Sequence, residues 1–488
     1  MKLHFTLALV FCTLPGIAWC GSGPNPAPAA PPSPDEDGTM PALVSIAGEG
    51  MMNTHAYDEL EDLSDNIGGR VTGSPQAAKA IQWGLARMQA IGLSNVHAEK
   101  WQLSHGWTRI SASAALLEPI QRSLSVDSMG WVGSTPKGGV EADVVPVNIY
   151  QLDQEMKNSA NWAGKILLIV QKGDKPSREE MMKLFAKFGS FLKAAHAAQA
   201  AAIIGGQGGS MAAGMRLTHT GVLGFDTVYD IPVVSMVAED QEQLERFLDH
   251  GKAVRVKLDV QNRISGPVES ANVVGEIPGT EHPEQVVVIG GHLDSWDLAE
   301  GSTDDGTGVA TTLGAAEAIV KSGQRPRRTM RFVLFTGEEQ GLLGSLAYTK
   351  MHKDEMKNHV GAVILDDGQG AVVSLNLGGR DDLIAVVQKF TDSVKAFGEV
   401  KVDDRTVFGT DAGPFILQGL PGINMGQDSP EYKYTHHSAV DTRQGQTRPA
   451  HARQHADGAD RVLDCRPPGA SGQPMDAAAN RRHAGEKA

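Results

Sequence analysis

Between residues 270 and 442 the chain repeats one unit: a short, mainly apolar run, then a helical segment, with acids or histidines where the run ends. The apolar runs are 286–289, 330–336 and 362–365, and the helical stretches are 306–321, 340–351 and 383–394. A strand that is apolar along its length must be covered on both faces, and strands separated by helices pair in parallel. This pattern predicts an α/β fold with a mixed, mainly parallel sheet flanked by helices. In such sheets ligands gather at the carboxyl ends of the strands. The polar residues at those ends are therefore the first candidates for chemistry.

The rest of the chain arranges itself around this core. Ser74-Pro75 reads as a helix start, a capping hydroxyl followed by proline at the first helical position. Ile81, Leu85, Met88 and Ile91 recur at helical spacing, and Gly92 ends the pattern. Residues 130–262 read as a separate α/β unit inserted into a body formed by 43–129 and 263–442. Its expected strands are 165–170, 202–204, 233–237 and 254–260, with an alanine-rich helix over 187–200. Residues 205–214 are glycine-rich but lack the Lys-Ser/Thr ending of a phosphate-binding loop, so they read as a turn or cover loop.

The two ends differ from the body. Residues 1–20 read as a secretory signal, with Lys2 ahead of an apolar stretch and small residues after it. Trp19 disfavours lipidation of Cys20, because a small residue is expected there. Residues 21–42 form a Pro- and Gly-rich linker. The expected location is periplasmic or extracellular, with no integral membrane span once the signal is removed. Residues 443–488 hold seven Arg and one Lys, and only Val462, Leu463 and Met475 as large aliphatics. Such a segment cannot bury enough apolar surface to fold alone. The abrupt change after Thr442 favours a shifted reading frame over a basic interaction arm or a solvated tail.

Net charge is 44 − 58 = −14, which disfavours nucleic acid as a partner. The three cysteines, Cys12, Cys20 and Cys465, all lie outside the body. No disulfide framework or multi-cysteine metal site is available there.

The strand ends carry the chemistry. After the first run comes Gly-Gly-His292-Leu-Asp294, and ten residues later Asp304-Asp305-Gly-Thr-Gly opens a helix. After the second comes Glu338-Glu339, after the third Asp366-Asp367-Gly, and later Tyr434-Thr-His436-His437-Ser-Ala-Val-Asp441-Thr. Each piece alone has a plain explanation: a surface histidine, acids favouring a helix dipole, a turn. Together they crowd acids and histidines around one crevice. Clustered carboxylates repel unless protons or cations neutralise them. Histidines with carboxylates suit zinc, one bridging carboxylate admits a metal pair, and a further glutamate can serve as general base.

The stretch 285–308 (QVVVIGGHLDSWDLAEGSTDDGTG) resembles the di-zinc exopeptidases that include bacterial secreted aminopeptidases and glutamate carboxypeptidase, and within them the carboxypeptidase Q branch. Glu338-Glu339-Gln340-Gly341, Gly409-Thr410-Asp411 with Pro414-Phe415, and 432–442 (YKYTHHSAVDT) carry it further. The similarity spans roughly 55–442, and the 130–262 unit resembles the family's protease-associated insert. The resemblance implies two Zn²⁺ ions and peptide substrates. His292 and Asp367 would hold one ion, Glu339 and His437 the other, and Asp304 would bridge them. The family pattern selects His437 over His436 and Asp367 over Asp366. It also implies a cis peptide after Asp304, Glu338 as general base, and Asp294 as partner of His292. Tyr434 and His219 would line the substrate pocket, and a homodimer is implied. The implied activity is hydrolysis of dipeptides and short peptides, with carboxypeptidase, aminopeptidase and dipeptidase modes open. The rival is a non-catalytic binding protein on the same architecture; the full set of ligand types and Glu338 argue against it. Past Thr442 the family continues into an apolar helix, to which 443–488 offers nothing comparable.

Overall fold

A computed structural model describes residues 39–205 and 214–442. The expected signal, most of the linker, residues 206–213 of the glycine-rich loop and the tail from 443 lie outside them. The linker ends earlier than expected: helix α1 (Thr39–Met52) already includes 39–42.

The chain runs through α2 (Ala56–Asp62) and α3 (Pro75–Ile91) into strands β1 (Ser94–Leu103), β2 (Trp107–Glu118), β3 (Arg122–Leu124), β4 (Val126–Ser128) and β5 (Val140–Asn148). There follow α4 (Leu152–Lys157), β6 (Ile166–Val170), α5 (Arg178–Ala197), β7 (Ala202–Ile204), β8 (Val233–Met236), α6 (Ala238–Asp249) and β9 (Arg255–Ile264). The next elements are β10 (Val268–Ile277), β11 (His282–His292), α7 (Thr307–Lys321), β12 (Arg328–Phe335), α8 (Leu343–Met351) and β13 (His359–Leu365). Last come β14 (Val372–Asn376), α9 (Ile384–Ser393), β15 (Lys401–Asp403), α10 (Ala412–Leu417), β16 (Gly422–Gln427) and α11 (Tyr432–Thr435).

The first sheet has the order β1-β10-β12-β11-β13-β16-β14-β15. Its centre, β12-β11-β13-β16, is parallel, while β1, β10 and β14 pair antiparallel. Successive residues of β12 point to opposite faces. Phe332 and Leu334 pack with Ile81, Met88 and Leu313 of α3 and α7. Val333 and Phe335 pack with Tyr348 of α8 and Phe415 of α10. All four β12 side chains are fully buried, each contributing roughly 1.5–3 kcal/mol. Burial on both faces is why these runs carry no polar alternation. Helix α3 starts as expected, with Ser74 Oγ accepting from the Ala77 N–H at 3.1 Å, and ends at Gly92 with φ +91°.

The second sheet has the order β3-β2-β9-β5-β6-β7-β8-β4. It begins at Trp107 and not at 130, because β2 pairs antiparallel with β9 from Trp107↔Ile264 to Glu118↔Arg255. Small and polar residues dominate β2 (WTRISASAALLE), so its apolar pattern is weak and its partner is distant in sequence. Helix α5 also starts well before 187: Ser177 and Glu180 form a reciprocal capping box. The two sheets meet at buried Trp101, Trp107, Trp131 and Trp296.

Candidate metal centre

His292 closes β11. The parallel register Gly290↔Ile364 puts Asp366, two residues on, level with His292. Its Nε2 lies 3.2 Å from Asp304 Oδ1 and 3.5 Å from Asp366 Oδ1. Its Nδ1 lies 3.0 Å from the Asp294 carbonyl oxygen and 3.7 Å from the Asp294 carboxylate. The carbonyl therefore orients the imidazole, where the carboxylate was expected. The Asp294 carboxylate accepts instead from Thr72 Oγ1 at 2.9 Å and from the Glu338 N–H at 3.3 Å.

Asp304 stands in the turn Ser302–Gly306, and the peptide between Asp304 and Asp305 is cis. Asp305 is structural: its carboxylate accepts from the His292 N–H at 3.0 Å and the Gly308 N–H at 2.9 Å. Two motif glycines make room for it. A Cβ on Gly291 would meet Asp305 Oδ2 at 2.5 Å, and one on Gly308 at 2.2 Å. Asp441 ties the turn from the far side, accepting from the Thr303 N–H at 2.6 Å and the Asp304 N–H at 3.2 Å. Fully buried Arg70 donates to the carbonyls of Leu293, Glu300 and Gly301 and holds the loop between them.

Glu339 and His437 form the other half. His437 Nε2 lies 2.7 Å from Glu339 Oε2 and 3.4 Å from Asp304 Oδ2. The Trp296 indole N–H donates to Glu339 Oε2 at 2.7 Å. His436 stacks on His437 with centroids 3.7 Å apart, its Nε2 3.8 Å from Asp304 Oδ2.

One expected ligand stands elsewhere. Asp367 points away from the cluster and accepts from the Gln427 N–H at 3.2 Å. Adjacent residues in extended chain face opposite sides, so only one of the Asp366-Asp367 pair can face His292, and it is Asp366. Tyr434 carries the Lys433 ammonium 4.6 Å over its ring. Tyr432 is the tyrosine among the acids: it packs on His436 at 5.1 Å, and burial with Asp304 and Asp366 pushes its hydroxyl well up. His219 lies beside the second half, its Nδ1 2.7 Å from the His436 carbonyl oxygen.

The electrostatics are those of crowded acids in a buried place. Burial pushes Glu338 well above the usual carboxylate range, with Asp366 and Glu339 adding to it and His292 opposing. Burial and Asp304 push Glu339 the same way. Burial disfavours the His292 imidazolium, yet Asp366 and Asp304 outweigh it and raise the group. Burial and His437 push His436 down to about 3.

The donor set fits cations. His292 Nε2, Asp304 Oδ2 and Glu339 Oε1 are sealed from solvent with no hydrogen-bond partner among the described residues. Bare buried acceptors are costly unless something positive faces them. Donor atoms of His292, Asp304 and Asp366 lie within 4.8 Å of one another, as do those of Asp304, His436 and His437. Asp304 belongs to both groups. Trp296 and Asp441 lie inside the quoted motifs without a role assigned to them, whereas Arg70 carries no signal of its own in the sequence; each acts through a partner distant along the chain.

Known proteins resemble the chain along most of its length. Residues 272–459 match the model of Peptidase family M28. Mouse (Mus musculus) carboxypeptidase Q is 31% identical over 403 residues, covering 82% of this chain and 83% of the relative, and the human (Homo sapiens) protein matches equally over 402 residues. The structure of a peptidase M28 precursor from Shewanella amazonensis superposes with a TM-score of 0.74 at 29% identity, covering 88% of this chain and 96% of that one. A zinc aminopeptidase from Bacillus subtilis has the same fold, with TM-score 0.62 at 21% identity over 83% of this chain and 92% of its own. The chain belongs to Peptidase family M28 and is a metallopeptidase of that family.

Proposed function

We propose that the chain is an exopeptidase that hydrolyses dipeptides and short peptides at a centre of two zinc ions. The observation that carries the reading is the pair of donor groups sharing Asp304, with Glu338 beside them. His292 and Asp366 would hold one ion, Glu339 and His437 the other, and Asp304 both. Bound zinc supplies polarisation of the scissile carbonyl and a more acidic water.

The protein's own groups do the proton work. Glu338 takes the proton of the attacking water, because burial and neighbouring acids make its carboxylate a stronger base than usual. It returns that proton to the leaving amine. The Asp294 carboxylate fixes the Glu338 backbone through its N–H. His292 and His437 each present Nε2 to the centre, because a carbonyl oxygen faces each Nδ1. The signal expected over residues 1–20 would put this hydrolysis outside the cytosol. No helix among the described residues is long and apolar enough to cross a membrane.

The test is an assay of zinc-loaded protein on a free dipeptide, its N-acetylated form and its C-amidated form. Cleavage abolished by a chelator is the expected result. Loss on acetylation alone would mean recognition of the amine, loss on amidation alone recognition of the carboxylate, and loss on both a strict dipeptidase. A zinc-loaded protein that cleaves none of the three would overturn the proposal.

A further inference from the structure

The loop that carries His437 is bonded to the second sheet's unit as well as to the first sheet. Residues 218–220 run antiparallel to 437–439, with His219 and Ser438 as a bridged pair. The Thr220 N–H donates to the His437 carbonyl at 2.9 Å, and His437 Nδ1 lies 3.2 Å from the Thr220 carbonyl oxygen. His219 Nδ1 lies 2.7 Å from the His436 carbonyl oxygen. That contact requires an N–H on Nδ1 of His219, since a carbonyl only accepts.

The segment is itself tied down. Thr218 Oγ1 donates to the Asp127 carboxylate, and Thr220 Oγ1 donates to the Ser128 carbonyl at 3.1 Å. Arg109 Nη2 donates to Thr220 Oγ1 at 3.1 Å while its guanidinium pairs with Asp297 at 2.9 Å. Asp127 and Ser128 belong to β4 and Arg109 to β2, so the anchor is the second sheet.

The held loop needs an anchor. His437 has φ +57°, a left-handed conformation that is strained for a non-glycine residue. His219 is 1% exposed, and its Nε2 has no hydrogen-bond partner among the described residues. A leucine there would avoid a bare buried nitrogen. The bond made by Nδ1 is the chemical reason for a histidine at this position.

We propose that the segment 218–220, with His219 as a positioning residue, fixes the ring orientation and tautomer of His437, so that the second sheet's unit completes one of the two metal positions. This inference rests on the metal reading given above. A carbonyl facing Nδ1 leaves the lone pair on Nε2, the atom 2.7 Å from Glu339. Such supporting partners typically contribute 10–100-fold to metal affinity. The half centred on His292 takes its carbonyl from its own loop and should not feel the change.

The experiment uses the full chain loaded with zinc and follows release of each ion to a chelating dye. His219→Ala should release one ion about 10–100-fold faster and leave the other at the wild-type rate. His219→Asn, whose amide can still donate to the His436 carbonyl, should restore slow release. Faster release confined to one ion is the readout a merely structural role would not give, because general loosening of the fold would release both. Should His219→Ala fail to fold, Thr220→Val removes the tie to Ser128 and Arg109 and should show the same selective release. Equal release from wild type and variants would overturn the inference while leaving the metal reading intact. A wild type that retains no zinc would overturn the metal reading itself.

Discussion

The two halves of the candidate centre are built differently. His292 and Asp366 come from the ends of adjacent strands and are placed by the register of one sheet, while Asp304 comes from the turn before α7, tied by Asp441. Glu339 and His437 come from a strand end and a late loop, and their orientation depends on Trp296 and on residues 218–220. The first half is a product of sheet geometry, where pairing distances leave little freedom. The second is a product of docking between two sheets, where the same chemistry needs external partners. Asp304 belongs to both.

Breaking the shared residue should erase the comparison. Asp304→Asn should lose both ions and all turnover, and full zinc content by elemental analysis would sink the bridging role. Next in size, Glu338→Gln should keep both ions while turnover falls about 10²–10⁴-fold. Near-normal turnover in a metal-loaded variant would remove Glu338 from the mechanism. Asp366→Asn should then cost the first half its ion, while Asp367→Asn keeps both. The opposite pattern of zinc contents would restore Asp367 as the ligand. Trp296→Phe should act on the second half alone, weakening one ion about 10–100-fold by removing the indole donor to Glu339. An equal effect on both ions would mean the halves are not independent.

The smallest effect concerns stability. Burial raises Asp367 from 3.8 to about 6, with Asp366 adding to it and the Gln427 N–H opposing. The folded state then binds more protons than the unfolded one between those values, so this group makes stability fall as pH rises through that window. In chelator-treated protein, Asp367→Asn should raise the melting temperature relative to wild type at pH 7 and not at pH 4. The same difference at both pH values would refute the assignment.

Much of this was legible in the residues. The apolar runs of β11, β12 and β13 marked the sheet's parallel centre, because strands buried on both faces admit few polar residues. The acids at their ends marked the crevice. The choice between Asp366 and Asp367 was harder, because both are acids at a strand end and only the side-chain alternation of the folded strand separates them. Tyr434 is the tyrosine expected at the pocket, while Tyr432, two residues earlier in the same short helix, is the one that packs on His436. Strand β2 escaped because its partner β9 lies far along the chain and its own side chains are small.

The sequence by itself determined the layered architecture and the chemical types of the donors, and its motifs carried the family resemblance. Those follow from local periodicity and from residue identities, which need no long-range information. The tertiary structure decided which of two neighbouring acids faces His292. It also brought Arg109, Thr220 and His219 to the loop of His437. Both depend on register and docking between segments distant in the chain, and no local pattern encodes those distances.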